Sequence, residues 1–139
     1  MICTFFGHRD TPETIKPKLR NVLNDLIDNK NVNMFYIGDN GSFDRMAREI
    51  LKELKNKYKI NYYVAIAYIP KKIDYKDYSD TIYFDELNTK PYKLRIVERN
   101  KIMIKKSDIV VTHVTRIVGG AFEFKYLAEK KGKIVINIL

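Results

Sequence analysis

A glycine followed by a histidine and an arginine ends the first apolar run of the chain. Gly7 lets the backbone turn sharply away from a strand, and His8 and Arg9 then stand at the strand end. The guanidinium of arginine offers a planar set of donors that suits phosphate. This pattern leaves two interpretations open: Arg9 binds an anionic ligand, or it forms an ion pair with Asp10 while His8 caps a helix.

A second candidate segment combines two glycines with a polar turn just before an amphipathic helix. It reads Gly38-Asp39-Asn40-Gly41-Ser42-Phe43-Asp44. Backbone N–H groups exposed at such a helix start form an anion site. Asp44, in the first turn, can stabilise the helix dipole, bind a ribose hydroxyl or act as a base. The spacing is not G-x-G-x-x-G, so NAD binding in the usual dehydrogenase mode is not supported.

The third candidate segment repeats this logic near the end of the chain. An apolar run leads through Thr115 and Arg116 to Gly119-Gly120-Ala121, which opens a helix with Glu123 in its first turn. Glycine permits close approach of a ligand to the backbone, and the helix N-terminus supplies positive potential. A simple tight turn is the alternative.

Arg99 and Asn100 interrupt an apolar helical stripe formed by Ile96, Val97, Met103 and Ile104. A polar residue on a buried stripe is costly unless it is hydrogen-bonded. Asn100 therefore either ties down a loop or directs Arg99 and itself at a ligand from below.

The elements that position these residues alternate between apolar runs and helical periods, which is typical of a parallel sheet with crossover helices. We expect one α/β domain over residues 1–139, Rossmann-like and three-layered, with a mostly parallel five-stranded sheet and helices on both faces. The predicted strands are residues 2–6, 34–37, 62–69, 109–114 and 134–139, and residues 70–92 form one long connection. Thr14 is the predicted cap of the first helix, because Pro17 then falls in its first turn.

The composition argues against several classes of protein. No apolar run approaches the roughly 18 residues of a membrane span, and the single cysteine, Cys3, suits a reducing cytoplasm and is expected to be buried. His113 is expected to be a hydrogen-bonded core residue. The net charge of +9 comes mostly from scattered lysines and is interpreted as a solvated face. We expect no metal and no cofactor.

Four motifs in order resemble the SLOG superfamily and, within it, the YpsA-like branch. They cover nearly the whole chain and are Phe6-Gly7-His8-Arg9, Gly38-x-x-Gly41-x-x-Asp44, Arg99-Asn100-x-x-Met103-x-x-x-Ser107-Asp108 and Gly119-Gly120-Ala121. The resemblance implies a Rossmann-like nucleotide-binding fold and a homo-oligomer, a dimer or larger. The superfamily includes sensors of nucleotide-derived signals, DNA-uptake proteins of the DprA type and the Lonely Guy phosphoribohydrolases.

The third motif departs from the hydrolase pattern, Pro-Gly-Gly-x-Gly-Thr followed by glutamates. Val118 stands in place of the proline, and the later glycine and threonine are missing, since Ala121-Phe122-Glu123-Phe124 follows Gly120. Backbone N–H groups are then the remaining donors there. The resemblance therefore favours a protein that senses or sequesters a phosphorylated nucleotide or nucleotide-derived ligand over an enzyme.

Two other functions remain as alternatives. A nucleotide N-glycosidase would use Asp44 and Glu123 as its carboxylates, with Arg99 holding phosphate. Single-stranded DNA binding would use the tyrosine-rich stretch 75–83 together with Lys71, Lys72 and Lys76. The predicted ligand and phosphate site consists of Gly7, His8, Arg9, Gly38, Asn40, Gly41, Ser42, Asp44, Arg99, Asn100, Thr115, Gly119, Gly120 and Ala121.

Overall fold

The structure is a computed structural model that describes residues 1–70 and 79–139. Strands and helices alternate along the chain, with short 3-10 turns before the first and third helices. The elements are β1 (Ile2–Gly7), α1 (Lys16–Asn29), β2 (Met34–Ile37), α2 (Ser42–Lys55), β3 (Asn61–Ala65), β4 (Thr81–Ile82), α3 (Arg95–Lys106), β5 (Ile109–His113), α4 (Gly120–Lys130) and β6 (Ile134–Asn137).

The described strands form one parallel sheet in the order β4-β3-β2-β1-β5-β6. The chain therefore builds outward from β1 in one direction, then returns to place β5 on the other side of β1. The loops that follow β1 and β5 leave toward opposite sides at this point. Open parallel sheets bind ligands in the crevice at such a topological switch.

The fold class confirms the prediction, but the number of strands does not. Within the described residues the sheet has six strands, because Thr81–Ile82 pairs with Val64 and Ala65 inside the expected long connection. Asp80 holds this short strand in place by accepting hydrogen bonds from Arg48 at 2.8 and 2.7 Å and from the Tyr62 hydroxyl at 2.9 Å. Two residues are too few to show a period, so contacts distant in sequence decide this strand.

Two packed layers enclose the sheet. On one face, α1 and α2 bury leucines and Phe43 against Cys3 and Phe5 of β1. On the other face, α3 and α4 pack Met103 and Ala128 against Phe6. The central strand is thus buried on both sides, as the continuous apolar run 2–6 indicates, and Cys3 is a buried free thiol.

Several predicted boundaries are wrong in detail. Strand β1 ends at Gly7 rather than Phe6, β3 begins at Asn61 rather than Tyr62, and β5 ends at His113 rather than Val114. Strand β3 ends at Ala65 rather than residue 69, and β6 ends at Asn137 rather than Leu139. Helix α1 begins at Lys16 after a 3-10 turn, so Thr14 is not its cap. Pro17 nevertheless lies in the first turn, where its missing N–H removes no helical hydrogen bond.

Candidate functional site

A groove of about 790 Å³ lies at the carboxyl edge of the sheet. It is bordered by the loops after β1, β2 and β5 and by one side of α3. Most of the predicted ligand residues line it, namely Gly7, His8, Arg9, Gly38, Asn40, Asp44, Arg99, Asn100, Gly119, Gly120 and Ala121, together with Glu123. Sequence segments distant along the chain thus converge on one site at the topological switch.

The last residue of β1, Gly7, is a glycine because α2 packs closely against it. A Cβ atom at Gly7 would lie 2.2 Å from Cγ of Phe43, far inside van der Waals contact. The chain then places His8 almost fully inside, 8% exposed. Its Nε2 accepts a hydrogen bond from the Thr115 N–H at 3.0 Å, which joins the loop after β1 to the loop after β5. His8 therefore holds the two sides of the groove at a fixed spacing.

Arg99 lies at the floor of the groove and is 1% exposed. Its Nε donates to Oδ1 of Asn100 at 3.0 Å, and its Nη1 donates to the Ala65 carbonyl at 3.0 Å and to Asp39 at 2.5 Å. Its Nη2 has no hydrogen-bond partner among the described residues. Nη2 lies 3.4 Å from the position that a Cβ of Gly38 would occupy. The protein thus fixes the guanidinium in place through its Nε and Nη1 atoms.

Asn100 explains why the apolar stripe of α3 is interrupted. Its Oδ1 accepts from Arg99, which orients the guanidinium, and its side chain is buried beneath the groove. Of the two predicted roles, tying down a loop finds no support in the described contacts. Asn100 is a positioning residue for Arg99, and both residues line the floor.

Asp44 and Arg99 converge on Gly38, where a Cβ would lie 2.8 Å from Oδ2 of Asp44. The Asn40 N–H donates to that same oxygen at 3.0 Å. Burial of the carboxyl raises the pKa of Asp44 to about 7, an effect that the Asn40 N–H and the Arg99 charge only partly oppose. A carboxyl with this pKa exchanges its proton near neutral pH, as a general acid or base must.

The segment 38–42, here called the first junction, is closed by its own packing. Gly41 has φ +103° and ψ −173° and lies against the backbone of Arg9. Ser42 donates its N–H to the Arg9 carbonyl at 2.9 Å and its hydroxyl to the Thr11 carbonyl at 2.6 Å. Gly41 and Ser42 are therefore not part of the groove lining. They bind the loop after β1 to the start of α2.

The segment 118–120, here called the second junction, is open. Gly119 has φ +97° and ψ 174°, close to the conformation of Gly41. A Cβ at Gly119 or at Gly120 would meet no described atom within 4 Å. The first N–H groups of a helix such as α4 lack partners within the helix, and the lining of the groove includes this turn. The second junction leaves space over those donors.

Three arginines and three carboxylates line the groove, and sequence reasoning missed one pair of them. Arg116 Nη2 forms an ion pair with Asp10 at 2.6 Å across the loops after β5 and β1. The available signal was a pair of opposite charges on two loops. It can be recognised only when the order of the strands is known, because that order makes β1 and β5 neighbours. Arg9, by contrast, forms no ion pair with any residue of the described ranges, and its exposed side chain lines the groove.

His113 is the predicted core histidine. It is 5% exposed, and its Nδ1 lies 2.8 Å from the Ile138 carbonyl oxygen. Its ring packs edge-on to His8, with centroids 5.8 Å apart. Burial, together with the charges of Arg116 and His113, lowers the pKa of His8, while Asp10 opposes the shift. Neutral His8 is the form that accepts from Thr115.

Sequence reasoning also missed an apolar side of the groove. Ile96, Val97, Met103, Val118 and Phe124 line it from α3, the second junction and α4. The helical spacing of the residues from α3 and α4 indicated a core stripe only, since periodicity does not tell which residues of a stripe meet a cavity.

Other expectations lie partly outside this site. Thr115 does not line the groove and contributes its N–H to His8. Of the tyrosine-rich stretch proposed for DNA binding, Tyr75, Tyr78 and the three nearby lysines lie outside the described residues. Within residues 1–70 and 79–139, no group of three His, Cys, Asp or Glu side chains is arranged to hold a metal ion.

No helix in the described part of the chain is long and apolar enough to cross a membrane. Comparison with known protein families and with curated proteins gives no match for this chain.

Proposed function

We propose that this groove binds a phosphorylated nucleotide or nucleotide-derived ligand, and that the protein senses or sequesters it. The observation that carries the proposal is Arg99. A buried arginine is expensive unless it is paired, and here Asn100, Asp39 and Ala65 hold two of its nitrogens while Nη2 remains available at the floor. Such a fixed charge is suited to an anionic group.

Two further features support an anionic ligand. Arg9 stands at the groove without an ion-pair partner in the described ranges, so it can bind phosphate without breaking an existing contact. The second junction leaves room above the first turn of α4, where backbone N–H groups and the helix dipole favour negative charge. The site is also at the topological switch, where parallel sheets bind nucleotides.

The proposed membership of the SLOG superfamily, YpsA-like branch, rests on the same residues. Its motifs lie at the end of β1, at the start of α2, in α3 and the residues that lead into β5, and at the start of α4. On this resemblance we also propose a cytoplasmic homo-oligomer, a dimer or larger.

Ligand retention tests the proposal. The purified protein is incubated with nucleoside monophosphates, ADP-ribose and cyclic nucleotides, filtered, and both fractions are analysed by liquid chromatography with mass spectrometry. We expect one nucleotide to be retained intact. Arg9→Gln should weaken its retention by about tenfold, because one charged contact is lost. Arg20→Gln is the matched control, since Arg20 pairs with Glu53 away from the groove.

Two outcomes would contradict the proposal. If no compound of the panel is retained, the proposal that the ligand is a nucleotide is wrong. Equal losses in Arg9→Gln and Arg20→Gln would mean that only the overall charge of the protein attracts the ligand.

Nucleotide N-glycosidase activity is the second candidate, and the pKa of Asp44 favours it. A carboxyl with a pKa of about 7 in the groove can activate water or stabilise an oxocarbenium ion. In that case free base appears in the filtrate, and its release rises as pH passes about 7 and Asp44 ionises. Asp44→Asn should abolish the release while ligand binding survives, and Glu123→Ala tests the other carboxylate. Unchanged turnover in both variants would remove this candidate.

A further inference from the structure

The two sides of the groove differ in chemistry. The loops after β1 and β2 contribute charged and polar groups, with Arg99 at the floor. The opposite side, here called the apolar wall, is built from α3, the second junction and α4. Its members are Ile96, Val97, Met103, Val118 and Phe124.

Two members of the apolar wall are open to solvent. Val97 is 39% exposed and Val118 is 70% exposed, although both line the groove. Phe124 is half-buried, and its ring stacks on Phe6 with centroids 5.3 Å apart. Apolar side chains gathered inside a groove opposite charged groups are typical of a site whose ligand has an apolar part.

We propose that the side chains of the apolar wall bind the base of the ligand, while the charged side, the floor and the backbone N–H groups at the start of α4 bind its phosphate. This inference rests on the proposed function and adds the orientation and the ligand class: an intact base–sugar–phosphate unit rather than a sugar phosphate. Phosphate alone would leave the wall facing water. A planar base, which has an apolar face, covers it.

The polar groups near the wall are few. Asn100 is 9% exposed, and its Oδ1 is already bonded to Arg99, which leaves Nδ2 as its donor toward the groove. In the described part of the chain, the other polar side chains that line the groove beside the wall are Glu123 of α4 and Arg116, whose guanidinium is paired with Asp10. Recognition by contact area predicts that the presence of a base matters more to affinity than its identity.

Calorimetry on the full chain with AMP, ribose 5-phosphate and inorganic phosphate tests this. AMP and ribose 5-phosphate share the phosphate and sugar and differ by the base alone. We expect AMP to bind at least about tenfold more tightly, because the base removes apolar surface from water. Replacing adenine by another base should change the affinity less than removing it does.

Variants locate the effect on the wall. Val97→Ser with Val118→Ser should lower the AMP affinity by about tenfold and leave ribose 5-phosphate unaffected. The matched control is Leu94→Ser with Ile117→Ser, since these aliphatic side chains are 48% and 83% exposed, lie close in sequence to the wall residues, and do not line the groove. All four positions are exposed, so both double variants should fold, which circular dichroism checks.

The possible failures are distinguishable. If ribose 5-phosphate binds as tightly as AMP, or if both double variants lose AMP equally, the apolar wall does not bind the base, although the phosphate site stands. If neither compound binds, this inference fails, and the retention panel decides the proposed function separately. If the wall variant changes the oligomeric state in light scattering and leaves AMP affinity unchanged, the wall is a contact with a second copy of the chain.

Discussion

The first and second junctions share a backbone conformation and have opposite surroundings. Gly41 and Gly119 both precede a helix, with φ +103° and +97° and an extended ψ. A Cβ at Gly41 would lie 2.5 Å from the Cα of Arg9, whereas a Cβ at Gly119 would meet no described atom within 4 Å. A glycine that precedes a helix in the sequence thus meets different physical requirements at the two junctions.

The difference separates structural glycines from candidate ligand glycines. At the first junction, glycine is required because another loop of the same protein occupies the space. At Gly120 the structure offers no such neighbour, and φ is not in the left-handed region. The absence of a side chain there leaves space over the first turn of α4, inside the groove.

The largest expected effect is on the free energy of unfolding, and it distinguishes backbone strain from a steric clash. Gly119→Ala adds backbone strain alone and should cost about 2 kcal/mol of unfolding free energy. Gly41→Ala adds the clash with Arg9 to the same strain and should cost about 4 kcal/mol. Urea denaturation measures both. Equal losses would mean that the loop of Arg9 moves aside freely, and the contrast between the junctions would fail.

The next effect concerns ligand affinity. Arg99→Lys keeps the positive charge, but one ammonium group cannot replace the hydrogen bonds of Nε and Nη1 and also donate to a ligand. Ligand affinity should therefore fall by about 100-fold. Arg116→Lys changes an exposed residue already paired with Asp10 and should cost no more than about fivefold. Calorimetry with the retained nucleotide compares them. A larger loss in the Arg116 variant would move the main anion contact to the loop after β5.

Gly120→Ala tests the open space directly. The added methyl group meets nothing in the protein, and alanine favours helix, so stability should stay the same or rise by about 0.5 kcal/mol. Ligand affinity should nevertheless fall by about tenfold, because the methyl group occupies space over the donors. Unfolding and binding are measured on the same preparation. Unchanged affinity would show that the ligand does not approach this turn.

Opposite pH dependences are expected for two ionisable groups of the groove, Asp44 and His8. The raised pKa of Asp44 means that the folded state holds its proton more tightly than the unfolded state. Its stabilising effect is therefore complete below about pH 4 and is lost as pH rises through about 7. Asp44→Asn should flatten this slope in urea titrations at several pH values. A slope that persists in the variant would assign the effect to another group.

The lowered pKa of His8 predicts the reverse dependence at the contact between the loops after β1 and β5. Stability is complete above the ordinary histidine pKa of about 6.5 and falls as pH drops below it. Protonation removes the acceptor of the Thr115 N–H. The protection of the Thr115 amide against hydrogen exchange, relative to its intrinsic rate at the same pH, should fall as His8 is protonated below about pH 6.5, and His8→Gln should remove that pH dependence. If the protection of the Thr115 amide in the native protein does not change with pH, this prediction is wrong.

The sequence predicts most of the frame because its signals are local. Strand β2 matches the expected range Met34–Ile37, and the stripe of α2 matches the buried face that the structure shows. Asn100 stands out because helical periodicity alone places it on a buried face. The sixth strand could not be predicted, since two residues carry no period and their pairing partner lies about 17 positions away in sequence.

For the site, the sequence by itself determined which loops carry glycine, arginine and carboxylate, because strand ends and helix starts are encoded locally. Only the tertiary structure decided which of these glycines is closed and which is open. It also decided that Asp10 pairs with Arg116, that His8 holds Thr115, and that an apolar wall faces the charged side. These contacts join residues that are far apart in the chain. Their free energy depends on the order of the strands, which no local pattern contains.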